Sequence, residues 1–104
     1  MAKQNLKNKK EFGLVFSAGK KKVGKYIIVY MMPKKQGKNR LGVIVKKNIG
    51  NAVQRNRIKR VLREVWRNKG EQFISGHDVV ILAKRRIIEV SFQDIESELE
   101  NLIK

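Results

Sequence analysis

Residues 46–64, KKNIGNAVQRNRIKRVLRE, carry the strongest structural and functional signal in the chain. Seven lysines and arginines lie between Lys46 and Arg63, and no acidic residue interrupts them. A surface helix that needs only solubility usually mixes the two signs of charge. This stretch is therefore predicted to face the phosphates of a nucleic acid.

The second part of the stretch predicts an amphipathic helix. Asn51 is a favourable N-cap because its side chain can accept hydrogen bonds from free backbone N–H groups of the first turn. Gly70 is expected to end the helix in the left-handed conformation that glycine tolerates. A buried stripe follows the i, i+3, i+4, i+7, i+8 pattern, and it consists of Ile58, Val61, Leu62, Val65 and Trp66. The alternative is a generic solvated basic helix in which Asn51 serves only as a cap.

The charge of the chain is large and unevenly distributed. The 104 residues have the length of one domain and a net charge of +16. Nucleic acid is the expected partner of such a chain, and an anionic membrane surface is the weaker alternative. Residues 1–70 hold 21 Lys and Arg and 2 acids, whereas residues 71–104 hold 4 and 7. This segregation predicts one surface docked on polyphosphate and another that faces away from it.

Composition excludes several classes of protein. Cysteine is absent, which excludes a disulfide framework and a thiolate metal site and fits the expected cytoplasmic location. No apolar run approaches the ~18 residues of a membrane span. Residues 1–7 are polar and basic, lack the apolar segment of a signal peptide and are expected to be flexible.

Local patterns place a short helix and four strands around the central helix. Asn8 and Glu11 fit a capping box for the first helix, which Gly19 ends. The strands are predicted from β-branched and aromatic runs, and they are a short edge strand at Val23, Tyr26–Met32, Arg40–Lys46 and Val79–Ala83. Strand, helix and strand in the second half predict a parallel βαβ unit.

The last helix is predicted from Ser91, a suitable N-cap. Its apolar face consists of Phe92, Ile95, Leu99 and Leu102. Its acidic residues are expected to form a solvated outer face, and they are Asp94, Glu96, Glu98 and Glu100. The resulting element order is α-β-β-β-α-β-α, in an α/β (α+β) fold.

The residue types of a protein-based active site do not occur in a suitable pattern. His77, the only histidine in the sequence, falls in the predicted connection 71–78 and is interpreted as a surface or turn residue rather than a ligand or base. The acids form neither a paired-carboxylate site nor a metal cluster, and no Gly-rich phosphate loop occurs. We therefore assign no catalytic residue and no metal ligand, and any catalysis must be supplied by a partner.

Three aromatic residues permit two interpretations. Phe12 and Phe16 lie on one side of the first helix and can be ordinary core residues. Alternatively, one or both line a cleft with Tyr30 in which single-stranded bases stack. The sequence leaves both interpretations open.

Residues 46–60 resemble the signature of the bacterial ribonuclease P protein subunit, K-K-x-x-G-N-A-V-x-R-N-R-x-K-R. They read K-K-N-I-G-N-A-V-Q-R-N-R-I-K-R, which matches the signature in spacing and identity. The resemblance covers most of the chain, because the first helix, the Tyr-rich strand and the Val79–Ala83 strand occur in the family's order. One departure is Val45, where many members have serine.

The resemblance implies a fold, an activity and partners. The implied fold is a two-layer sandwich with a left-handed βαβ crossover, against the usual right-handed rule, as in domains of a small-subunit ribosomal protein and of elongation factor G. The implied holoenzyme removes the 5′ leader from precursor tRNA, and its RNA subunit is the catalyst with bound Mg²⁺. The implied partners are the ribonuclease P catalytic RNA and the 5′ leader of precursor tRNA. No DNA partner, membrane partner or protein-bound cofactor is implied.

The functional positions of the family fall on two groups of residues in this chain. The implied RNA-binding residues are Lys46, Lys47, Asn51, Arg55, Asn56, Arg57, Lys59, Arg60 and Arg63. The implied leader-binding cleft is lined by Phe12, Phe16 and Tyr30. The alternative function is a non-enzymatic binder of structured RNA, such as a ribosomal protein of the same fold.

Overall fold

Four strands form one sheet in the computed structural model, which describes residues 5–6, 9–34, 37–71 and 74–104. The strands are β1 (Lys20–Val23), β2 (Ile27–Pro33), β3 (Arg40–Ile44) and β4 (His77–Ala83). Their order in the sheet is β1-β2-β4-β3, in which β3 and β4 are parallel and the other neighbours are antiparallel. The predicted parallel βαβ unit is therefore confirmed, and the handedness of its crossover stays a prediction.

Three α-helices and one 3₁₀ helix complete the described structure. They are α1 (Lys9–Ala18), α2 (Ala52–Lys69), the 3₁₀ helix (Arg85–Glu89) and α3 (Phe92–Ile103). The order of helices and strands confirms the predicted fold class, and the 3₁₀ helix is an element that the sequence patterns did not predict. Ser91 caps α3 as expected, and its hydroxyl accepts from the Asp94 N–H at 3.2 Å.

The two faces of the sheet carry different helices because side chains alternate along each strand. Ile27 and Val29 of β2, with Ile81 of β4, pack in the main core under α2 and α3. Val80 points to the other face and packs with Val15 of α1. The sheet with α2 and α3 forms the two predicted layers, and α1 adds partial cover to the second face.

All four strands differ in their bounds from the predicted ones. β2 spans Ile27–Pro33 and so includes the proline, and β3 ends at Ile44 rather than Lys46. β4 begins at His77, so His77 and Asp78 are strand residues and their assignment to a connection is wrong. The reason is pairing with distant residues, since His77 lies opposite Pro33 and the His77 N–H donates to Asn39 Oδ1 at 2.8 Å. β1 includes three lysines and begins at Lys20 rather than near Val23.

Gly70 ends α2, but its predicted left-handed conformation is wrong. Its φ is −108°, and its N–H donates to Trp66 O at 2.8 Å. A Cβ at this position would lie 2.1 Å from Trp66 Cε3, so a larger residue would collide with the buried indole. Glycine is needed here for close packing rather than for a positive φ.

Two expectations for α3 are wrong. Glu98 is not part of a solvated face, because its carboxylate accepts from the backbone N–H groups of Lys25, Tyr26 and Ile27 at 2.6–2.9 Å. The carboxylate thereby satisfies three donors at the turn between β1 and β2. Phe92, expected on the buried face, is 36 % exposed.

The beginning of the chain can be compared with expectation only in part. Asn8, the predicted N-cap of α1, and residues 1–4 and 7 lie outside the described residues. Asn5 bridges to Leu41, and Leu6 is buried against Val15. The expected flexibility of residues 1–7 stays a prediction.

Candidate nucleic-acid interface

A tight turn joins β3 to the basic helix α2. Gly50 has a φ of +69°, which favours glycine, and a Cβ there would lie 2.4 Å from Gln54 Oε1. Asn51 Oδ1 accepts from the Gln54 N–H at 2.9 Å, and Gln54 Oε1 accepts from the Asn51 N–H at 2.8 Å. This reciprocal capping box confirms Asn51 as the N-cap. A direct contact between Asn51 and RNA stays a prediction.

Arg55 ties the helix to this turn. Its Nη1 donates to Gly50 O at 2.8 Å and to Lys47 O at 3.2 Å. The half-buried guanidinium therefore holds the segment that carries Lys46 and Lys47, both of which are exposed. The sequence placed Arg55 only among the RNA contacts, and the structure adds a positioning role.

The cations in the first two-thirds of α2 have no ion-pair partner within the described part of the chain. The exposed members of this group are Arg57, Arg60 and Arg63, while Lys59 is half-buried. Asn56 is exposed between them. By contrast, Arg67 pairs with Glu64 near the end of the helix. The structure thus brings most of the predicted RNA-binding residues to one helix surface whose positive charge is not neutralised internally.

The predicted aromatic cleft lies on the other face of the sheet, where α1 covers β2. The rings of Phe16 and Tyr30 meet edge to face, with centroids 4.8 Å apart and planes at 87°. Phe16 is 40 % exposed, and Lys21 Nζ lies 5.9 Å from the centre of the Tyr30 ring. An open aromatic edge beside a cation can accept a stacked base and its phosphate.

Phe12 differs from Phe16 in its surroundings. Phe12 is half-buried and packs against the α1-facing core, and a Cβ at Gly42 would lie 2.4 Å from its ring. Phe12 therefore has a packing role, whereas Phe16 is the more open of the two rings. The core interpretation therefore fits Phe12, and base stacking on Phe16 stays a prediction.

A charged network that the sequence patterns missed fixes α1 on the sheet. Arg40 donates to both carboxylate oxygens of Asp78, at 2.9 and 2.8 Å, and to Glu11 of α1 at 2.5 Å. Lys34 Nζ lies 3.4 Å from Asp78 Oδ1. The Arg40 guanidinium holds the pKa of Asp78 below its ordinary value, and Asp78 with Glu11 raises the pKa of Arg40. No local signal could reveal this network, because its members come from separate elements.

The described residues contain neither a cluster of metal-ligating side chains nor a helix that could span a membrane. Within residues 5–6, 9–34, 37–71 and 74–104, no three His, Cys, Asp or Glu side chains lie close enough to hold a metal ion. None of the helices in that part of the chain has the length and apolar character needed to cross a bilayer. His77 Nδ1 lies 2.8 Å from Ser75 O, a local turn contact.

The fold and this surface define a class of small α+β proteins with a basic helix whose first cations have no ion-pair partner among the described residues. An exposed aromatic ring lies on the opposite face of the sheet. The family model described as Ribonuclease P matches residues 1–104. The chain belongs to this family, that of the bacterial ribonuclease P protein component.

Relatives and solved structures agree with this assignment. The ribonuclease P protein component of Clostridioides difficile is 33 % identical over 102 residues, covering 97 % of this chain and 90 % of that protein. That of Caldanaerobacter subterraneus subsp. tengcongensis is 39 % identical over 99 residues, covering 95 % and 85 %. The ribonuclease P protein structure from Staphylococcus aureus superposes with a TM-score of 0.87 at 27 % identity, covering 98 % of this chain and 94 % of that one. The Thermotoga maritima protein gives 0.86 at 29 %, covering 98 % and 96 %.

Proposed function

We propose that this chain is the protein subunit of a bacterial ribonuclease P and that it binds both the catalytic RNA and the 5′ leader of precursor tRNA. The observation that carries the proposal is the unpaired basic surface of α2, in a chain of this family. Leader removal is an endonucleolytic, Mg²⁺-dependent reaction of the RNA subunit. The protein acts by positioning and by charge neutralisation, in the cytoplasm where tRNA matures.

The basic helix supplies the affinity for RNA. Exposed guanidiniums such as those of Arg57 and Arg60 bind phosphate oxygens and release condensed counterions. Lys46 and Lys47 extend this surface, because Arg55 holds their segment against the first turn of α2. The catalytic RNA and the phosphates near the cleavage site are the proposed ligands of this surface.

The leader lies along the aromatic edge on the other face of the sheet. Phe16 offers an exposed ring, and Tyr30 holds that ring in place by an edge-to-face contact. Lys21 stands beside Tyr30, where a phosphate of the leader would follow a stacked base. Single-stranded RNA fits this arrangement better than a duplex, because the bases must be unpaired to stack.

Reconstitution tests the proposal. The purified chain is mixed with the ribonuclease P RNA and precursor tRNA at low Mg²⁺, and the 5′ end of the product is mapped. We expect cleavage at the mature 5′ end with both subunits present and none with the protein alone. Leader removal by RNA-free protein, or no effect of the protein on the RNA, would contradict the proposal. Co-purification separates the alternative, since a ribosomal protein would bring whole ribosomal particles instead of one stable RNA.

A substitution of Phe16 tests the proposed contact with the leader. Phe16→Ala should weaken binding of precursor tRNA with a leader of several nucleotides by roughly 1–3 kcal/mol, the value of one base stack. Binding of mature tRNA should stay at the parental level. Leu14→Ala is the control, because Leu14 is an exposed apolar residue of the same helix at 52 % exposure. Equal losses for both tRNAs would place the leader elsewhere.

A further inference from the structure

An apolar groove of 240 Å³ lies between α2, the 3₁₀ helix and the start of α3. Ile58 and Val61 of α2 line one side, and Ile87 lines the other. Two residues of the lining remain open to solvent, Ile88 at 44 % and Phe92 at 36 % exposure. An exposed ring next to exposed aliphatic surface marks a binding site more often than scattered apolar residues do.

One cation borders this groove, and two more lie next to a lining residue in the sequence. Arg57 of α2 lines it directly. Arg85 and Arg86 precede Ile87 in the 3₁₀ helix, and both are exposed without an ion pair in the described part of the chain. The acids nearest in sequence are Glu89, which is exposed, and Asp94, whose carboxylate accepts from the Ser91 N–H.

The sheet topology joins this border to the basic surface described above. β3 and β4 are parallel, and Ile44 pairs with Leu82, so both strands end at the same edge of the sheet. The chain continues from β3 into Lys46 and Lys47, and from β4 into the arginines of the 3₁₀ helix. The groove therefore lies beside the basic surface, to which its lining residue Arg57 connects it.

The size and lining of the groove indicate what kind of ligand it can bind. Pockets for drug-sized molecules measure roughly 300–1,000 Å³, so 240 Å³ suits a single planar ring rather than a helix. A stable protein partner would bury roughly 800 Å² on each side, far more than this groove offers. An unpaired nucleotide fits both features, because its base stacks on an aromatic ring while its phosphate binds a cation.

We propose that this groove binds one unpaired nucleobase of the RNA that docks on α2, with Phe92 stacking on the base and Arg57 binding an adjacent phosphate. The inference rests on the proposed function, which places RNA along α2. It adds a stacking site on the α2 and α3 side of the sheet, opposite the face that carries Phe16 and Tyr30.

Two substitutions of Phe92 separate stacking from packing. Phe92→Leu keeps an apolar side chain and removes the ring, whereas Phe92→Tyr keeps the ring. Affinity of the full chain for ribonuclease P RNA is measured across a salt series, with melting temperatures as a check on folding. We expect Phe92→Leu to bind about fivefold or more weakly with an unchanged salt slope, the lower limit for one lost stack. Phe92→Tyr and the exposed control Leu14→Ala should stay within about twofold of the parental chain.

A crosslink supplies a direct readout. Trypsin cleaves after Arg86, so residues 87–104 form one fragment whose only aromatic residue is Phe92. After ultraviolet irradiation of the complex, mass spectrometry should find a nucleotide adduct on this fragment. Normal RNA binding by Phe92→Leu, or a complex without this adduct, overturns the groove assignment and leaves the proposed function intact. A parental chain that does not bind ribonuclease P RNA overturns the proposed function itself.

Discussion

α2 and α3 carry opposite charges, and they differ in what those charges contact. On α3, Glu98 accepts three backbone N–H groups, and Glu100 pairs with Lys69 and Lys104. On α2, Arg57 and Arg60 have no ion-pair partner in the described part of the chain. Glu98 and Glu100 of α3 thus have partners within the protein, whereas Arg57 and Arg60 of α2 remain available to an external one.

The same distinction extends to the rest of the molecule. Arg40 is a cation like Arg60, but it donates to Asp78 and Glu11 and joins β3 to β4 and α1. The sign of a charge therefore says little about its role in this protein. The presence of a partner within the chain separates structural residues from the residues proposed to face RNA. Variants of the first group should lose stability, and variants of the second should lose RNA affinity.

The largest expected effect comes from Asp78, a partnered charge that is 2 % exposed. Asp78→Asn removes the charge that faces Arg40 and should lower the free energy of unfolding by about 3 kcal/mol, as for a broken buried pair. Urea unfolding measures this loss. RNA affinity of the folded fraction should stay at the parental level. An unchanged unfolding midpoint would show that the Arg40 network contributes nothing to stability.

Acid titration gives the same residue a second test. The pKa of Asp78 is lowered in the folded state by its hydrogen bonds with Arg40. Its stabilising contribution is therefore complete above the unfolded pKa of about 3.9 and is lost as the pH falls through the folded value. When the pH is lowered from about 5 at constant ionic strength, the free energy of unfolding should fall further for the parental chain than for Asp78→Asn. Parallel stability curves for the two chains would contradict the assignment.

Glu98 should give the next largest effect. Glu98→Ala leaves the N–H groups of Lys25, Tyr26 and Ile27 without their acceptor, and hydrogen bonds to a charged group contribute about 1.5–3 kcal/mol. We expect a loss of about 2 kcal/mol in the free energy of unfolding, since water can reach part of the turn. Glu96→Ala is the matched control, because the one hydrogen bond of Glu96 within the described residues is a long contact with Asn68 at 3.4 Å. An equal loss of unfolding free energy in Glu98→Ala and Glu96→Ala would show that the hydrogen bonds of Glu98 do not add to stability.

The smallest change in stability and the clearest change in RNA binding are expected on α2. Arg60→Ala should alter the free energy of unfolding by less than about 0.5 kcal/mol, as for other surface substitutions. It should flatten the plot of log affinity against log salt by roughly 0.7–0.9, the value of one phosphate contact. Arg67→Ala removes the same charge from the same helix, but Arg67 is held by Glu64 and its slope should change less. Identical slopes for the parental chain and both variants would show that α2 does not face RNA.

Much of the secondary structure follows from short-range patterns. The apolar stripe of α2 predicts its buried face because a helix repeats every 3.6 residues, and Leu62, Val65 and Trp66 are indeed buried. Asn51 and Ser91 predict where α2 and α3 begin, because each side chain accepts a hydrogen bond from the backbone N–H three positions later. The basic motif of residues 46–60 likewise identifies the family from the sequence, since its residues are neighbours in the chain.

The tertiary structure decided which side chains have a partner. Glu98 and the Tyr26 N–H are 72 residues apart, and Arg40 and Asp78 are 38 apart. Periodicity reports only whether a residue faces the core, so it assigned Glu98 to a solvated surface and Asp78 to a connection. The order of the strands and the packing of α3 bring these groups together. The packing of α1 on the other face leaves Phe16 exposed and Phe12 half-buried. Hydrogen bonds between distant segments depend on the whole fold, which is why no local pattern contained them.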